Sequence, residues 1–247
     1  MPTLLAIIPH PDDESYSFGG TIALAARSGW RCLVECATAG ECGKRHDGGL
    51  ATEAAIGRAR IRELRDSCRI LRAEPPRVWG LPDGGLSASV SAGPHIADLL
   101  HDLAPDLVLT LGPDGAYGHP DHTALHHWVR DAWLACPEPR PALLWPVFPP
   151  GLFLPQYDRC RHMLGDPPSP APGEVGSDTF DYEVPIATVA AIKRDAIAAH
   201  RTQLPGADPQ AIFPPGIVAA LMASERFSDA CGSPQPRAAA MLRNFLP

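Results

Sequence analysis

No run of about 20 consecutive apolar residues, the length that a membrane-spanning helix needs, occurs in this 247-residue chain. Runs of Lys and Arg are missing as well, and the formal net charge is −7, so the sequence does not favour nucleic-acid binding. The apolar stretch at the N-terminus is too short, and meets acidic residues too early, for a signal peptide. We therefore expect a cytoplasmic protein that acts on a small molecule, with assembly into a homo-oligomer left open.

Two loops that bind phosphate or carry a nucleophile in other α/β proteins are also missing. A GxGxxG phosphate loop should directly follow the first strand, and Gly19-Gly20 lies too far along the chain to form one. No GxSxG sequence is present to form the nucleophile turn of a serine hydrolase. A non-catalytic sugar- or nucleotide-binding module is therefore kept only as an alternative.

The seven cysteines contain no CxxC pair. The spacing Cys32-x3-Cys36-x5-Cys42 allows a metal site, but without such a pair we favour Cys32 and Cys36 as small apolar residues of a strand. A cytoplasmic chain keeps its thiols reduced, so disulfide bonds are not expected.

Hydrophobic residues make up 45% of the chain and charged residues 20%, which is typical of a globular protein. Without a repeat or a clear linker, we predict one domain over residues 1–247. Strand and helix patterns alternate up to about residue 135, which predicts an α/β fold, a Rossmann-like, doubly wound, mostly parallel sheet with helices on both faces. The C-terminal third is rich in proline and predicts an elaboration of that fold. The predicted strands are Leu4–Ile8, Arg31–Ala37, Arg77–Leu81, Asp106–Leu111, Leu143–Phe148 and Phe180–Ile186, and the predicted helices are Phe18–Arg27, Thr52–Arg72, Ser91–Leu103, His122–Ala135, Thr188–His200 and Gly216–Phe227.

Two turns that contain histidine, proline and aspartate follow two of these strands. One is His10-Pro11-Asp12-Asp13-Glu14, and the other is Tyr117-Gly118-His119-Pro120-Asp121-His122. In a parallel sheet, ligands bind beyond the carboxyl ends of the strands, so we expect the two turns to meet there.

The side chains of the two turns are those of a catalytic metal site. Such a site needs about three nitrogen or oxygen ligands and an open position for water, and we predict His10, Asp13 and His122 as ligands. The alternative for Asp12 and Asp13 is N-capping of the helix that follows, where carboxylates are favoured. Two such turns at two strand ends favour the metal site.

The remaining side chains of the turns predict a hydrolytic reaction. Asp12 would be the general base for a metal-activated water. His119, if protonated, would stabilise the oxyanion intermediate, and Asp121 would hold one imidazole in its tautomer. Tyr117 would donate a hydrogen bond to the same oxyanion or, equally, only pack.

These motifs resemble those of the LmbE-like, or PIG-L, family of N-acetylglucosaminyl deacetylases, and the resemblance covers most of the chain. The first and fourth motifs are specific, and the others are supportive. The matching segments are His10–Glu14, Gly19–Thr21, Thr38–Glu41, Arg60–Leu64, Leu81–Leu86, His119–His122, Lys193 and Ala199–Gln203.

The resemblance implies a zinc enzyme that removes an acyl group, most simply acetyl, from the amide nitrogen of an amino sugar or glycoconjugate. It implies the same metal ligands and general base, with Fe²⁺ as another possible ion. It further implies that Arg60 and Asp83 contact the substrate, although a salt bridge with Glu53 or Glu63 and a Pro-Asp-Gly turn are the respective alternatives.

The sequence departs from the family pattern at two places, of which the first either lines the substrate entrance or only packs. Ser15–Phe18 replaces the usual small and acidic residues, and the Pro-rich stretch 137–172 has no counterpart that we can align. We expect the Pro-rich stretch to shape acceptor specificity. A related amidase that cleaves a larger acyl group or a thiol-conjugate amide therefore remains an alternative.

Overall fold

A single seven-stranded sheet organises the computed structural model, which describes residues 1–43, 52–155, 158, 176–208 and 217–245. The strands lie in the order β3-β2-β1-β4-β5-β7-β6. The first five in this order are parallel, whereas β7 runs antiparallel to both β5 and β6. The strands are β1 (Thr3–Ile8), β2 (Arg31–Thr38), β3 (Arg77–Leu81), β4 (Leu107–Leu109), β5 (Ala142–Pro146), β6 (Tyr182–Pro185) and β7 (Ser224–Asp229).

Helices cover both faces of the sheet, because the central strands present apolar side chains on both faces. Leu4, Ala6 and Ile8 of β1 face one core cluster, and Leu5 and Ile7 face the other. The helices are α1 (Asp13–Arg27), α2 (Glu53–Leu71), α3 (Gly93–Leu103), α4 (Gly115–Gly118, with a kink inside), α5 (Pro120–Ala135), α6 (Ala190–Ala199), α7 (Ile217–Leu221) and α8 (Pro236–Arg243).

The predicted fold class is confirmed: a mostly parallel sheet has helices on both faces. Helix α1 begins at Asp13, five residues before the predicted start at Phe18, because Ser15 and Ser17 are buried on its inner side despite their polarity. The predicted helix 188–200 shortens to α6, preceded by a 3-10 turn at Ala187–Val189. No helix among the described residues is both long and apolar enough to cross a bilayer.

The predicted helix Gly216–Phe227 is wrong over its second half. Gly216 lies outside the described residues, α7 ends at Leu221, and strand β7 begins at Ser224. Glu225, Phe227 and Asp229 are buried on this strand while the residues between them are half-buried, which is the two-residue period of a strand. A short apolar segment such as this one is compatible with the period of a helix and with that of a strand. Here the pairing of β7 with β5 and β6 makes it a strand.

A buried ion pair joins the C-terminal elaboration to the first helix. The Nζ of Lys193 on α6 lies 2.6 Å from Oε1 of Glu225 on β7, and Lys193 is fully buried. Glu225 also accepts hydrogen bonds from the backbone N–H groups of Gly20 and Thr21 and from the Thr21 hydroxyl. The carboxylate thereby ties α1, α6 and β7 together.

Replacing Lys193 with Met should destabilise the protein strongly, because the Glu225 carboxylate would stay buried without its cation. We expect the free energy of unfolding to fall by about 3–5 kcal/mol in urea denaturation. The control is Arg69→Met, which breaks an exposed pair with Asp66 and should cost less than about 1 kcal/mol. Equal losses in the two variants would contradict the role given to the buried pair.

Candidate metal and catalytic site

The two histidine-containing turns meet at the carboxyl edge of the sheet. The first turn follows β1 directly, and the second comes after β4, where it spans the end of α4 and the start of α5. Because β1 and β4 are adjacent and parallel, their carboxyl ends lie side by side. The convergence expected from the sequence is therefore present in the structure.

Three side-chain atoms from the two turns form a compact triangle. His10 Nδ1 lies 3.2 Å from His122 Nε2 and 3.3 Å from Asp13 Oδ2, and His122 Nε2 lies 3.5 Å from the same oxygen. These are the atoms of the three residues predicted as metal ligands. A ring nitrogen of His119 also lies within 4.8 Å of ring nitrogens of His10 and His122.

The triangle has the dimensions of one face of a tetrahedral metal site. Ligand bonds of about 2.1 Å place tetrahedral ligands about 3.4 Å apart. The three observed separations of 3.2, 3.3 and 3.5 Å bracket that value. Two imidazole nitrogens and one carboxylate oxygen are also a donor set that zinc accepts. The residues therefore fit a divalent metal ion, with the fourth position left for another ligand.

The other ring nitrogen of His10 is held by two more carboxylates. His10 Nε2 lies 3.1 Å from Asp83 Oδ1 and 3.2 Å from Asp121 Oδ2. Asp121 is itself fixed, since its two oxygens accept the backbone N–H groups of Gly84 and Leu86. These contacts place the proton of the neutral ring on Nε2 and turn Nδ1 towards Asp13 and His122.

The carboxylates make the surroundings of His10 favourable for positive charge. Burial lowers the pKa of His10, but the hydrogen bonds that its ring donates to Asp121, Asp13 and Asp83 outweigh burial and raise the pKa well above the usual value. Burial would raise the pKa of Asp13, but His122 and His10 lower it below its usual range. A site that stabilises an imidazolium in this way also favours a bound cation.

The ring of His119 is neutral at this site. Burial lowers its pKa to about 2, and the neighbouring His122 and His10 lower it too. Its Nδ1 accepts the backbone N–H of Asp121 at 3.2 Å. The proton of the neutral ring is therefore on Nε2, which makes that atom a hydrogen-bond donor. The protonated ring considered from the sequence is not needed for donation.

Tyr117 forms an aromatic wall beside the two imidazoles of its own turn. Its ring centroid lies 5.4 Å from that of His122 and 5.9 Å from that of His119, both in edge-to-face contact. On another side it lies 6.1 Å from Phe153. The packing expected as one alternative is thus present.

Asp12 lies at the N-terminal end of α1 without capping the helix through its side chain. Instead, its Oδ2 accepts a hydrogen bond of 3.1 Å from Arg60 Nη2, which also donates to the Pro11 carbonyl. The net pKa of Asp12 is raised to about 6. Burial, the largest cause, and Asp13 raise it, whereas Arg60 lowers it. The N-capping alternative for Asp12 is therefore wrong.

Arg60 and Asp83, expected to contact substrate, are both anchored within the protein. Arg60 Nη1 donates to the Gly40 carbonyl at 2.7 Å. The acidic partner of Arg60 is Asp12, and not Glu53 or Glu63 as the alternative from the sequence had it. Asp83 accepts the Cys42 backbone N–H at 2.8 Å in addition to its contact with His10. Burial raises the pKa of Asp83, but His10 and the Cys42 N–H lower it to about 2.

A buried cluster beneath the first turn was not predicted from the sequence. Glu14 is fully buried, and its Oε1 accepts hydrogen bonds from Ser67 Oγ at 2.5 Å and His200 Nε2 at 2.8 Å. Ser67 lies seven residues after Arg60 on α2, a spacing that places both on the same face of the helix. That shared face was the signal in the sequence that could have indicated the cluster.

Comparison with known proteins identifies the family of this chain. Residues 5–133 match PIG-L, described as GlcNAc-PI de-N-acetylase. A 1D-myo-inositol 2-acetamido-2-deoxy-alpha-D-glucopyranoside deacetylase of Streptomyces scabiei is 30% identical over 268 residues, which cover 91% of this chain and 83% of that protein. The family and the amide-hydrolase class predicted from the sequence are thereby confirmed.

Solved structures share the fold at lower sequence identity. The N,N'-diacetylchitobiose deacetylase of Pyrococcus horikoshii has a TM-score of 0.64 and 22% identity, over 96% of this chain and 85% of its own. GalB, a 4-carboxy-2-hydroxymuconate hydratase of Pseudomonas putida, has a TM-score of 0.69 and 19% identity, over 93% and 96%. The fold thus occurs with more than one chemistry. The match over half of the chain and the 30% identity to a relative along most of its length show that this chain belongs to the PIG-L family.

Proposed function

We propose that this chain hydrolyses the acetamide of an N-acetylglucosamine conjugate and releases acetate and a free amine. His10, Asp13 and His122 would hold the zinc ion, and Asp12 would be the general base. The single observation that carries the proposal is the triangle of two imidazole nitrogens and one carboxylate oxygen at tetrahedral spacing. The same donors accept Fe²⁺, so the choice of zinc is part of the proposal.

A divalent ion bound at this triangle supplies two things, a water of lowered pKa and polarisation of the amide carbonyl. The residues around it supply the proton transfers. The chain therefore needs a carboxylate that is close to the ligands, is not one of them, and can be reached by water.

Asp12 meets these requirements better than the other carboxylates of the site. Its side chain is 22% exposed, against 13% for Asp13, 7% for Asp83 and none for Asp121. With a pKa of about 6 it is largely ionised at neutral pH and not far from the pH at which a general base is most effective. Asp12 would take a proton from the attacking water and pass it to the amine nitrogen as the C–N bond breaks.

His119 would bind the oxygen of the tetrahedral intermediate. Its Nε2–H is the free donor of a neutral ring whose Nδ1 is already bonded to the Asp121 backbone. A donor in a buried site stabilises a developing negative charge more strongly than water does. Tyr117, packed edge-on against His119, would line the same side of the substrate.

The named substrate of the Streptomyces relative, an acetamido sugar linked to inositol, suggests the substrate class for this chain. To test this, the purified chain is stripped of metal and reloaded with Zn²⁺. Its activity is then compared on N-acetylglucosamine linked to inositol, on free N-acetylglucosamine, and on analogues with longer acyl chains. Release of free amine from the acetyl conjugate, lost after stripping, is expected. Cleavage of only the longer acyl amides would favour the larger-acyl alternative. A purified chain that carries no stoichiometric zinc would favour a binding module.

Replacing Asp12 with Asn should keep the metal and remove most of the turnover, since the amide cannot accept a proton. We expect kcat to fall by about 10²- to 10⁴-fold, the usual contribution of general acid–base catalysis. Metal content by mass spectrometry and amine release report the two properties separately. The matched control is Asp66→Asn on the exposed side of α2, which should leave both unchanged. A fully active Asp12→Asn variant would show that another group is the base.

Replacing Asp121 with Asn should weaken metal binding, because it removes one of the two carboxylate charges at His10 Nε2 and leaves one acceptor oxygen where Asp121 has two. The expected loss of affinity is about 10- to 100-fold, measured by competition with a chelating dye. Asp229→Asn is the control, since Asp229 is buried and accepts the Tyr182 hydroxyl at 2.7 Å far from these turns. Unchanged affinity in Asp121→Asn would argue against His10 as a ligand.

A further inference from the structure

The backbone of Asp12 has a conformation that most residues avoid. Its φ is 124° and its ψ is −28°, a combination in which an L side chain is strained. Such a conformation persists only where surrounding contacts determine it more strongly than the local preference. At functional sites, the strain usually serves to aim a side chain.

The peptide group of Asp12 is held on both sides. Its N–H donates to Glu14 Oε2 at 3.0 Å. Its carbonyl accepts the Ser15 hydroxyl at 2.8 Å and the Ser15 backbone N–H at 3.0 Å. Glu14 thus provides the hydrogen-bond acceptor for the Asp12 N–H.

Glu14 is itself held by two helices that are distant in sequence. Ser67 on α2 and His200, directly after α6, both donate to its Oε1, and all three residues are fully buried. Both oxygens of the carboxylate therefore act as acceptors, Oε1 for these two side chains and Oε2 for the Asp12 N–H. A line of hydrogen bonds therefore runs from α2 and α6 through Glu14 to the Asp12 peptide.

We propose that Glu14 is a positioning residue for the reaction. With Ser67 and His200, it fixes the strained Asp12 peptide and thereby the direction of the Asp12 carboxylate. This inference rests on the proposed function, in which that carboxylate is the general base. A reacting group displaced by about 1 Å can lose about 100-fold in rate, so a small rotation of this peptide is enough to matter.

The first test compares two hydroxyl deletions that are matched in kind. Ser67→Ala removes a 2.5 Å hydrogen bond to the Glu14 carboxylate, and Thr21→Val removes a 2.6 Å hydrogen bond to the Glu225 carboxylate. Both hydroxyls are buried, and both carboxylates lie at α1: Glu14 is a residue of this helix, and Glu225 accepts hydrogen bonds from it. We expect similar falls in melting temperature, but only Ser67→Ala should lower kcat, by about tenfold, with KM and zinc content unchanged. Equal kcat values in the two variants would overturn the proposal.

The second test asks whether the effect passes through Asp12. In an Asp12→Asn background, Ser67→Ala should cause no further loss of the residual rate. A second tenfold loss there would overturn the proposal, because it would show that Ser67 acts by another route. Full activity of Asp12→Asn alone would instead sink the proposed function, so the two failures are distinguishable.

A third measurement needs no substrate. Amide hydrogen exchange at Asp12, followed by NMR, should speed up about tenfold in Ser67→Ala and stay unchanged in Thr21→Val. Unchanged exchange at Asp12 in Ser67→Ala would overturn the proposal, whatever the activity.

Substitutions of Glu14 itself test the chemistry of the contact. Glu14→Gln keeps an oxygen that can accept the Asp12 N–H and should retain a tenth or more of kcat. Glu14→Ala keeps none and should lose about 100-fold. Equal losses in the two variants would show that the negative charge of Glu14, and not an oxygen that accepts the Asp12 N–H, is what matters, and would overturn the proposal.

Discussion

The imidazole of His10 has carboxylates at both of its ring nitrogens, and the rest of the site depends on this arrangement. Asp83 and Asp121 hold Nε2, so Nδ1 is directed at Asp13 and His122. Burying these acidic groups together is costly unless positive charge lies among them. In the proposed function, a divalent cation at the triangle would offset the negative charge of these carboxylates and would supply the chemistry of amide hydrolysis. Stability and function therefore make the same demand on this end of the sheet.

The fold supplies the arrangement through adjacent parallel strands and a few buried tethers. β1 and β4 deliver the two turns to one edge, and the helices that follow these turns begin within them. The elaborated C-terminal third does more than extend the sheet, since α6 contributes Lys193 to the pair with Glu225 and is followed by His200, which bonds to Glu14. Residues far from the turns in sequence thus hold the helix that carries Asp12 and Asp13.

Much of this could be predicted from the sequence because it is encoded locally. Buried apolar runs separated by amphipathic helices specify a parallel sheet, and the rule that ligands bind at carboxyl ends then brings His10 and His122 together. Strand β7 could not be predicted, because its segment is short and only its partners decide between helix and strand. The Glu14 cluster was also missed, since Ser67 and His200 are 53 and 186 residues away and the only signal was the face of α2 that Ser67 shares with Arg60. The anchoring of Arg60 by the first turn is likewise a product of tertiary structure.

In the proposed site, one divalent ion is bound by two imidazoles and one carboxylate from the two turns. X-ray absorption at the zinc edge of the metal-loaded protein tests it most directly. We expect only nitrogen and oxygen ligands at about 2.0–2.2 Å, with two imidazoles in the wild type and one fewer after His122→Ala. A sulfur ligand at about 2.3 Å, or a spectrum in which His122→Ala leaves the imidazole count unchanged, would contradict it.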